Sequence, residues 1–549
     1  MKIKCILVVA FACLFIGCDP LDTKEDTMLT PENLESDYNK LQSLGYAAYT
    51  SITSGFYVID SNIGAAMSDE AANTKNTSSV KLFNEGTWNQ YNNPDNVYSK
   101  CYEGIRAANF FLDYSINYKE QLAHNRDTLS DNGLAYRRSV KNIEWMRAEA
   151  HVLRSYYYFE LIKRYGGVPL VKEVIDPKDN TILPRTDFDV IADYAVSEID
   201  MVADELQADW NVEDKARDGR FTKGAAMALK SRILLYAASP LNNPSDNVEK
   251  WKAAAQAAYD VISLNQYSLD ANYRTMFLEA NSVNSKEMIM VYRHGAVDYF
   301  EKANYPVGTP GGNSGVTPSQ NLVDAYEYKG APNPDNPYDN RDPRLGYSIV
   351  TNNSSWNGRT MEIFAGGKDD PQNANASRTG YYLKKFLLDN LNLIQEEKRI
   401  HNWVMFRYGE ILLNYAEAMN EAYGPDNDNG YGISARQAIN MIRNRTGVEM
   451  PSVIANDKDD MRDKIKHERR IELAFEGHRF WDLLRWKDAG IYMNAPLRGI
   501  TINRSGNSFT YRDFIVEKRI FDESKMYRYP IPYAEVVKSD GILIQNPNW

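Results

Sequence analysis

The sequence holds the beginnings of several catalytic sites, and each stops short. His467-Glu468 opens the spacing His-Glu-x-x-His, in which two imidazoles one helical turn apart hold zinc. Ile471 stands where the second imidazole must be. The acidic loop PDNDNG at 425–430 has the look of a calcium loop, but placing Gly430 at the turn puts Pro425 at the first ligand position. The glycine run at 308–315 is followed by no Lys-Ser or Lys-Thr to reach a phosphate. No G-x-S-x-G elbow occurs, and 6 histidines leave little material for a triad. With 74 acidic residues some carboxylate pair is always available, yet glycosidase chemistry needs two carboxyls across a cleft in different environments. The adjacent pair Asp69-Glu70 points to different faces of a helix or strand and is a poor candidate. Nothing here argues for an enzyme, a metal or another cofactor.

One cysteine does suggest chemistry, of a different kind. Lys2 and Lys4 form a positive start, residues 6–16 a short apolar run, and Gly17-Cys18 follows at once. The run is too short to span a bilayer and reads as an export signal, 1–17. Its end, LFIGC, resembles the lipobox of bacterial lipoproteins, with Phe15 where Leu is commoner. That resemblance implies a lipid on Cys18. Cys5 and Cys13 leave with the signal, so Cys101 is the one ordinary thiol of the mature chain, and an exported fold without disulfides must rest on its core. DPLDTKEDT begins an acidic tether, 18–30, which resembles the signal that directs Bacteroidetes lipoproteins to the outer face of the outer membrane.

Charge narrows the partners. The net charge of −11 becomes about −13 once Lys2 and Lys4 are removed, which argues against nucleic acid and against adhesion to anionic lipid. The 37 tyrosines and 9 tryptophans are more rings than usual. Many must fill a core, and the remainder are amphipathic contact surfaces.

Helices must position these groups. Trp145, Ala148, Val152, Tyr156 and Phe159 recur at three- and four-residue steps, predicting a helix over 140–164 stopped by Gly166-Gly167. Ala226, Leu229, Ile233 and Tyr236 predict a second, stopped by Pro240, and Trp251, Ala254, Ala258 and Val261 its partner. Leu412, Tyr415, Ala416 and Met419 mark another, beside one carrying Ala435, Ala438, Ile439 and Ile442. A further helix opens near Asp460 and runs through HERRIELAFEGHRFWDLLRW with a bend at Gly477. Small residues on the inner stripes and short loops predict hairpins that pack like tetratricopeptide repeats, without a fixed period. Two stretches break this pattern: 60–97, rich in Asn, Ser and Thr, and 295–390, with four prolines at 331–343. Long irregular stretches in a compact protein usually carry function. The expected fold is mainly α, a tetratricopeptide-like hairpin scaffold with long loop-rich insertions and a few short strands. It fills 31–549, in halves 31–265 and 266–549.

At HERRIELAFEGHRFWDLLRW the chain resembles the SusD/RagB family of Bacteroidetes outer-membrane lipoproteins. TKGAAMALKSRILLY at 222–236, NRDPRL at 340–345, FRYGEILLNYAEAMNEA at 406–422 and the C-terminal YRYPIPYAEVVKSDGILIQNPNW agree in order. The resemblance implies a cell-surface protein that captures nutrient, usually a glycan, and partners a TonB-dependent, SusC-like transporter. The motifs themselves read as structural: the charges of HERRIELAFEG as ion pairs and caps, Trp481 and Trp486 as core, Arg341, Asp342 and Arg344 as ordering their loop, and Trp549 as pinning the tail.

Sugar rings present apolar C–H faces rimmed by hydroxyls, so their binding wants flat aromatic faces beside amide, carboxylate or guanidinium partners. The looped stretches supply both. Trp88 and Tyr91, with Asn89 and Asn92, form one expected ligand surface, and Tyr299, Phe300, Tyr305 and Trp356 the second. A peptide- or protein-capturing lipoprotein on the same scaffold is the alternative, and a surface hydrolase the third reading.

Overall fold

The computed structural model describes residues 37–176, 178, 182–210 and 219–549. The signal, Cys18 and the tether to residue 30 lie outside the described residues. Helices dominate, as the periodicity requires. The longer ones are α1 (Tyr38–Ala47), α2 (Tyr98–Tyr114), α3 (Leu134–Tyr165), α4 (Phe188–Val202), α5 (Lys223–Ala238), α6 (Val248–Ser263), α7 (Tyr408–Tyr423), α8 (Ala435–Arg443), α9 (Lys458–Glu472) and α10 (Arg479–Arg485). None is both long and apolar enough to cross a membrane, among the described residues.

Local chemistry sets their ends. Thr222 caps α5 by accepting from the Ala225 amide, Ser434 and Gln437 form a reciprocal capping box on α8, and Asp457 accepts from two first-turn amides of α9. Gly166, at φ 72°, ends α3 in a conformation that a side chain disfavours. Buried alanines on α5 and α6 let that hairpin close. Where α2 crosses α3, a Cβ on Gly104 would lie 2.3 Å from the Tyr157 ring, so only glycine permits the approach. The run expected to bend at Gly477 instead breaks into two helices. α9 stops at Glu472, Phe475 and Gly477 take positive φ, and α10 starts afresh at Arg479.

Short ribbons tie down the two looped stretches. β1 (Ala71–Asn73) pairs antiparallel with β3 (Val316–Pro318), joining the first stretch to the second. β2 (Met288–Val297) pairs with β4 (Arg399–Arg407), Tyr292 opposite Trp403, and so closes the base of the long insertion. β5 (Leu497–Ser505) and β6 (Ser508–Glu517) form a hairpin. The buried apolar residues form one continuous cluster from Leu41 to Ile531.

The charged motifs are inside. Arg344, in NRDPRL, is fully buried against Asp342, Glu468 and Glu472. Arg407 meets Glu287, Glu472 and Glu476; Arg445 meets Glu287 and Glu472. This network clamps α9 to β4 and to the insertion, the structural role expected of HERRIELAFEG. Arg341 donates to the carbonyls of Pro337 and Tyr326, ordering its loop. Trp486 is core and donates to Glu417 at 2.7 Å. Trp549 pins the tail by donating to the carbonyls of Lys525 and Arg528.

Candidate functional site

Four of the rings expected to meet ligand are core residues. Trp88 is 2 % exposed, enclosed by Phe83, Tyr529 and Trp549 with ring centroids 4.6–4.9 Å away. Phe300 packs on Phe56 at 4.6 Å, and Tyr305 crosses Trp356 edge to face at 5.7 Å. The Tyr305 hydroxyl is spent on the Leu388 carbonyl. These rings anchor loops, because burying a large apolar face outweighs displaying it.

The remaining residues lie at two places on one cleft. At the first, Ser54 caps a tight turn, Gly55–Tyr57, whose glycine lies against the buried Trp403: a Cβ there would be 2.1 Å from the indole. The turn holds Tyr57 out, 41 % exposed, stacked on Tyr299 at 4.8 Å and 24°. His294 and Tyr292 from β2 extend the ring cluster, at 5.5 Å from Tyr57 and 4.8 Å from each other. The Ser54 hydroxyl meets His294 Nε2 at 2.7 Å. Burial, with the neighbouring His401, lowers the His294 pKa and so favours the neutral ring.

At the second place, Tyr91 is 70 % exposed and tilts against Tyr533, 44 % exposed, at 4.7 Å. Asn89 accepts from the amides of Tyr91 and Asn92 and so folds the loop that presents them. Beneath lies a small cavity of about 140 Å³ walled by residues 89–93, Asn96, Pro530 and Pro532.

A larger cavity of about 340 Å³ lies beside these. Tyr57 lines it, and Asn96 lines both cavities. Its floor is an ion ladder. Lys163 meets Glu160 at 2.6 Å, Arg164 meets Glu160 at 2.6 Å and Asp95 at 2.9 Å, and the Tyr529 hydroxyl donates to Asp95. Burial opposes ionisation of Glu160, but its two cations hold the carboxyl down at about 2. Lys163, buried above the Trp481 ring and sharing that carboxylate with Arg164, falls to about 8. Among the described residues no group of three or more His, Cys, Asp or Glu is placed to hold a metal, and Asp426 of the 425–430 loop is paired with Arg436.

The scaffold that holds this cleft is shared with known proteins. Residues 262–549 match the model of the SusD family. The chain belongs to the SusD family. Residues 19–235 match a second SusD-like model, described as starch-binding associating with outer membrane. A SusD-like protein of Formosa agariphila is 28% identical over 380 residues, 65% of this chain and 69% of that one. The crystal structure of a SusD-like protein from Bacteroides fragilis is 26% identical, with a TM-score of 0.77 over 94% of this chain and 98% of that chain. A SusD-like carbohydrate binding protein from the same species gives a TM-score of 0.74 at 23% identity, covering 93% and 99%.

In this SusD-family chain the sequence reading missed Tyr57, His294 and Tyr533. Tyr57 stands three residues before the looped stretch, and Tyr533 lies within the C-terminal motif that marks the family. The signal for Tyr533 was present: Pro530 and Pro532 hold the chain extended just before it.

The Asp69-Glu70 pair lies inside, each carboxyl with its own partners. Asp69 is held far below the usual carboxylate range by Arg470 and Arg479, against the opposing effect of burial. Glu70, on the cavity wall, accepts only the Phe475 amide, and burial raises it to about 8. A carboxyl raised on folding stabilises fully below its unfolded pKa, and that contribution is lost as pH rises through the folded value. Wild-type melting temperature should therefore fall from about pH 5 to about pH 8 relative to Glu70→Gln, whose amide does not ionise. Parallel melting curves across that range would remove Glu70 as the titrating group.

Proposed function

We propose that this chain is a surface-exposed outer-membrane lipoprotein, anchored through Cys18, that captures oligosaccharide or polysaccharide and delivers it to a TonB-dependent transporter. It acts without catalysis and without a cofactor. The observation that carries the glycan reading is the pair of exposed tyrosines, Tyr57 stacked on Tyr299 and Tyr91 against Tyr533, each on the wall of one of two cavities that share Asn96. Flat rings exposed beside amides suit the C–H faces and hydroxyls of sugars. Family membership, the starch-binding description of the second matching model and the carbohydrate-binding relative from B. fragilis support it. The non-catalytic reading draws on the floor of the cleft, where Glu160 and Asp95 are neutralised by Arg164 and Lys163.

Calorimetric titration of the mature chain with a panel of neutral oligosaccharides tests this reading. Tyr57→Ala and Tyr91→Ala should each weaken binding about tenfold, or ~1.4 kcal/mol, with unchanged melting temperature, since both rings are at the surface. Wild-type affinity in both variants would displace the site. Binding of peptides and of no glycan would replace the reading with peptide capture.

A further inference from the structure

The small cavity at the Tyr91 end has hydrogen-bonding chemistry that the larger cleft lacks. Its wall carries Asn89, Gln90, Asn92, Asn93 and Asn96 and no charged side chain. An amide offers an acceptor oxygen and two donor hydrogens, and here the protein consumes four of the five oxygens, all but that of Asn92. Asn93 Oδ1 accepts from the Asp95 amide at 3.0 Å, and Asn96 Oδ1 from the Tyr98 amide and the Tyr165 hydroxyl. Backbone amides can only donate, which fixes how these side chains are turned. Gln545 Oε1 accepts from the amides of Ile531 and Asn546, so its Nε2 must donate, and Gln90 Oε1 receives it at 3.1 Å. Asn89 Oδ1 is taken by its own loop.

What is left over is mostly N–H. Among the described residues Gln90 Nε2 and Asn96 Nδ2 find no hydrogen-bond acceptor, and Asn93 Nδ2 is buried without one. Asn92, exposed beside them, spends neither side-chain atom on the protein. The wall opposite is apolar, Pro530 and Pro532. A donor-rich, uncharged cradle faced by two prolines suits a group with a strong acceptor oxygen and an apolar end. Hydroxyls fit less well, because each also needs an acceptor for its own hydrogen. Carboxylate or sulfate would find donors, but no cation, on a chain of net charge −11. The volume of about 140 Å³, against roughly 30 Å³ for one water in the liquid, holds a substituent of several heavy atoms.

We infer that this cavity is a subsite for the acetamido group of an N-acetylated sugar, the carbonyl oxygen on the amide donors and the methyl on the prolines. The inference rests on the glycan reading above and narrows it: the captured glycan contains N-acetylhexosamine, and Gln90 and Asn92 read the acetamido carbonyl while Tyr91 and Tyr533 meet the ring.

The test compares two ligands that differ only in that group, β-1,4-linked N-acetylglucosamine oligomers and glucose oligomers of equal length, by calorimetry on the full mature chain. Wild type should bind the acetylated oligomer at least tenfold more tightly. Gln90→Glu keeps the oxygen that Gln545 needs and loses the free donor, and Asn92→Asp does the same at an exposed position. Each should abolish the tenfold preference by weakening the acetylated oligomer at least tenfold more than the glucose oligomer. Equal affinity of wild type for both oligomers overturns the acetamido subsite and leaves glycan capture standing, as does a preference retained in both variants. Tighter binding of a galacturonic acid oligomer than of either overturns it in favour of an anion subsite. Failure of every sugar to bind overturns the glycan reading itself.

Discussion

Glu472→Ala should lower the unfolding free energy by about 3–5 kcal/mol, the range for a broken buried ion pair. Glu472 is fully buried at the centre of the internal charge network, accepting from Arg344 at 2.8 Å, Arg407 at 2.8 Å and Arg445 at 2.9 Å. Burial alone would favour the neutral acid, yet Arg445, Arg407 and Arg344 hold its carboxyl far below the usual range. Removing it leaves these buried guanidiniums with fewer carboxylates. Against a total stability of roughly 5–15 kcal/mol, that loss is close to unfolding. Chemical denaturation of the purified chain measures it, and Glu472→Gln, which keeps acceptor capacity but not charge, should fall between. A control is at the surface: Lys223 pairs with the exposed Asp204, and Lys223→Ala should change stability by less than about 1 kcal/mol. A loss that small for Glu472→Ala as well would mean that the network is not the clamp described here.

Trp88→Ala is the second large effect, and it separates two views of one residue. Its neighbours Asn89 and Asn92 suggest a ligand platform, but the indole is sealed beneath Phe83, Tyr529 and Trp549. Truncating a buried tryptophan costs about 3–5 kcal/mol through lost burial and the cavity left behind. The melting temperature should drop sharply, while the variant, at a temperature where it is folded, should keep most of its glycan affinity. A stable variant that has lost its ligand would return the indole to the binding surface.

Much of the fold could be read from residue order. Trp145, Val152 and Phe159 at helical spacing, with Gly166-Gly167 after them, place α3 to within a few residues, because a helix start and stop are local events. The loop-rich character of 60–97 and 295–390 is equally local, written in Asn, Pro and Gly. The break after Glu472 was less legible. Nothing in LAFEG excludes a bend, and the positive φ of Phe475 depends on the packing around it.

Exposure was less legible. Tyr91, Asn89 and Asn92 do share a surface loop, Tyr299 is half-buried, and Trp88, Phe300, Tyr305 and Trp356 are buried. Composition supplies rings without saying which face water, because burial is decided by neighbours far along the chain: Trp549 covers Trp88, and Phe56 covers Phe300. By itself the sequence determined the family, the helical scaffold and the presence of two looped stretches, since each is carried by local pattern or ordered motif. Only the tertiary structure decided which aromatics stay exposed, that Tyr57 and Tyr533 join them, and that the Gln90 oxygen is spent on Gln545. Those are properties of contacts between segments hundreds of residues apart, and they exist only once the chain has closed on itself.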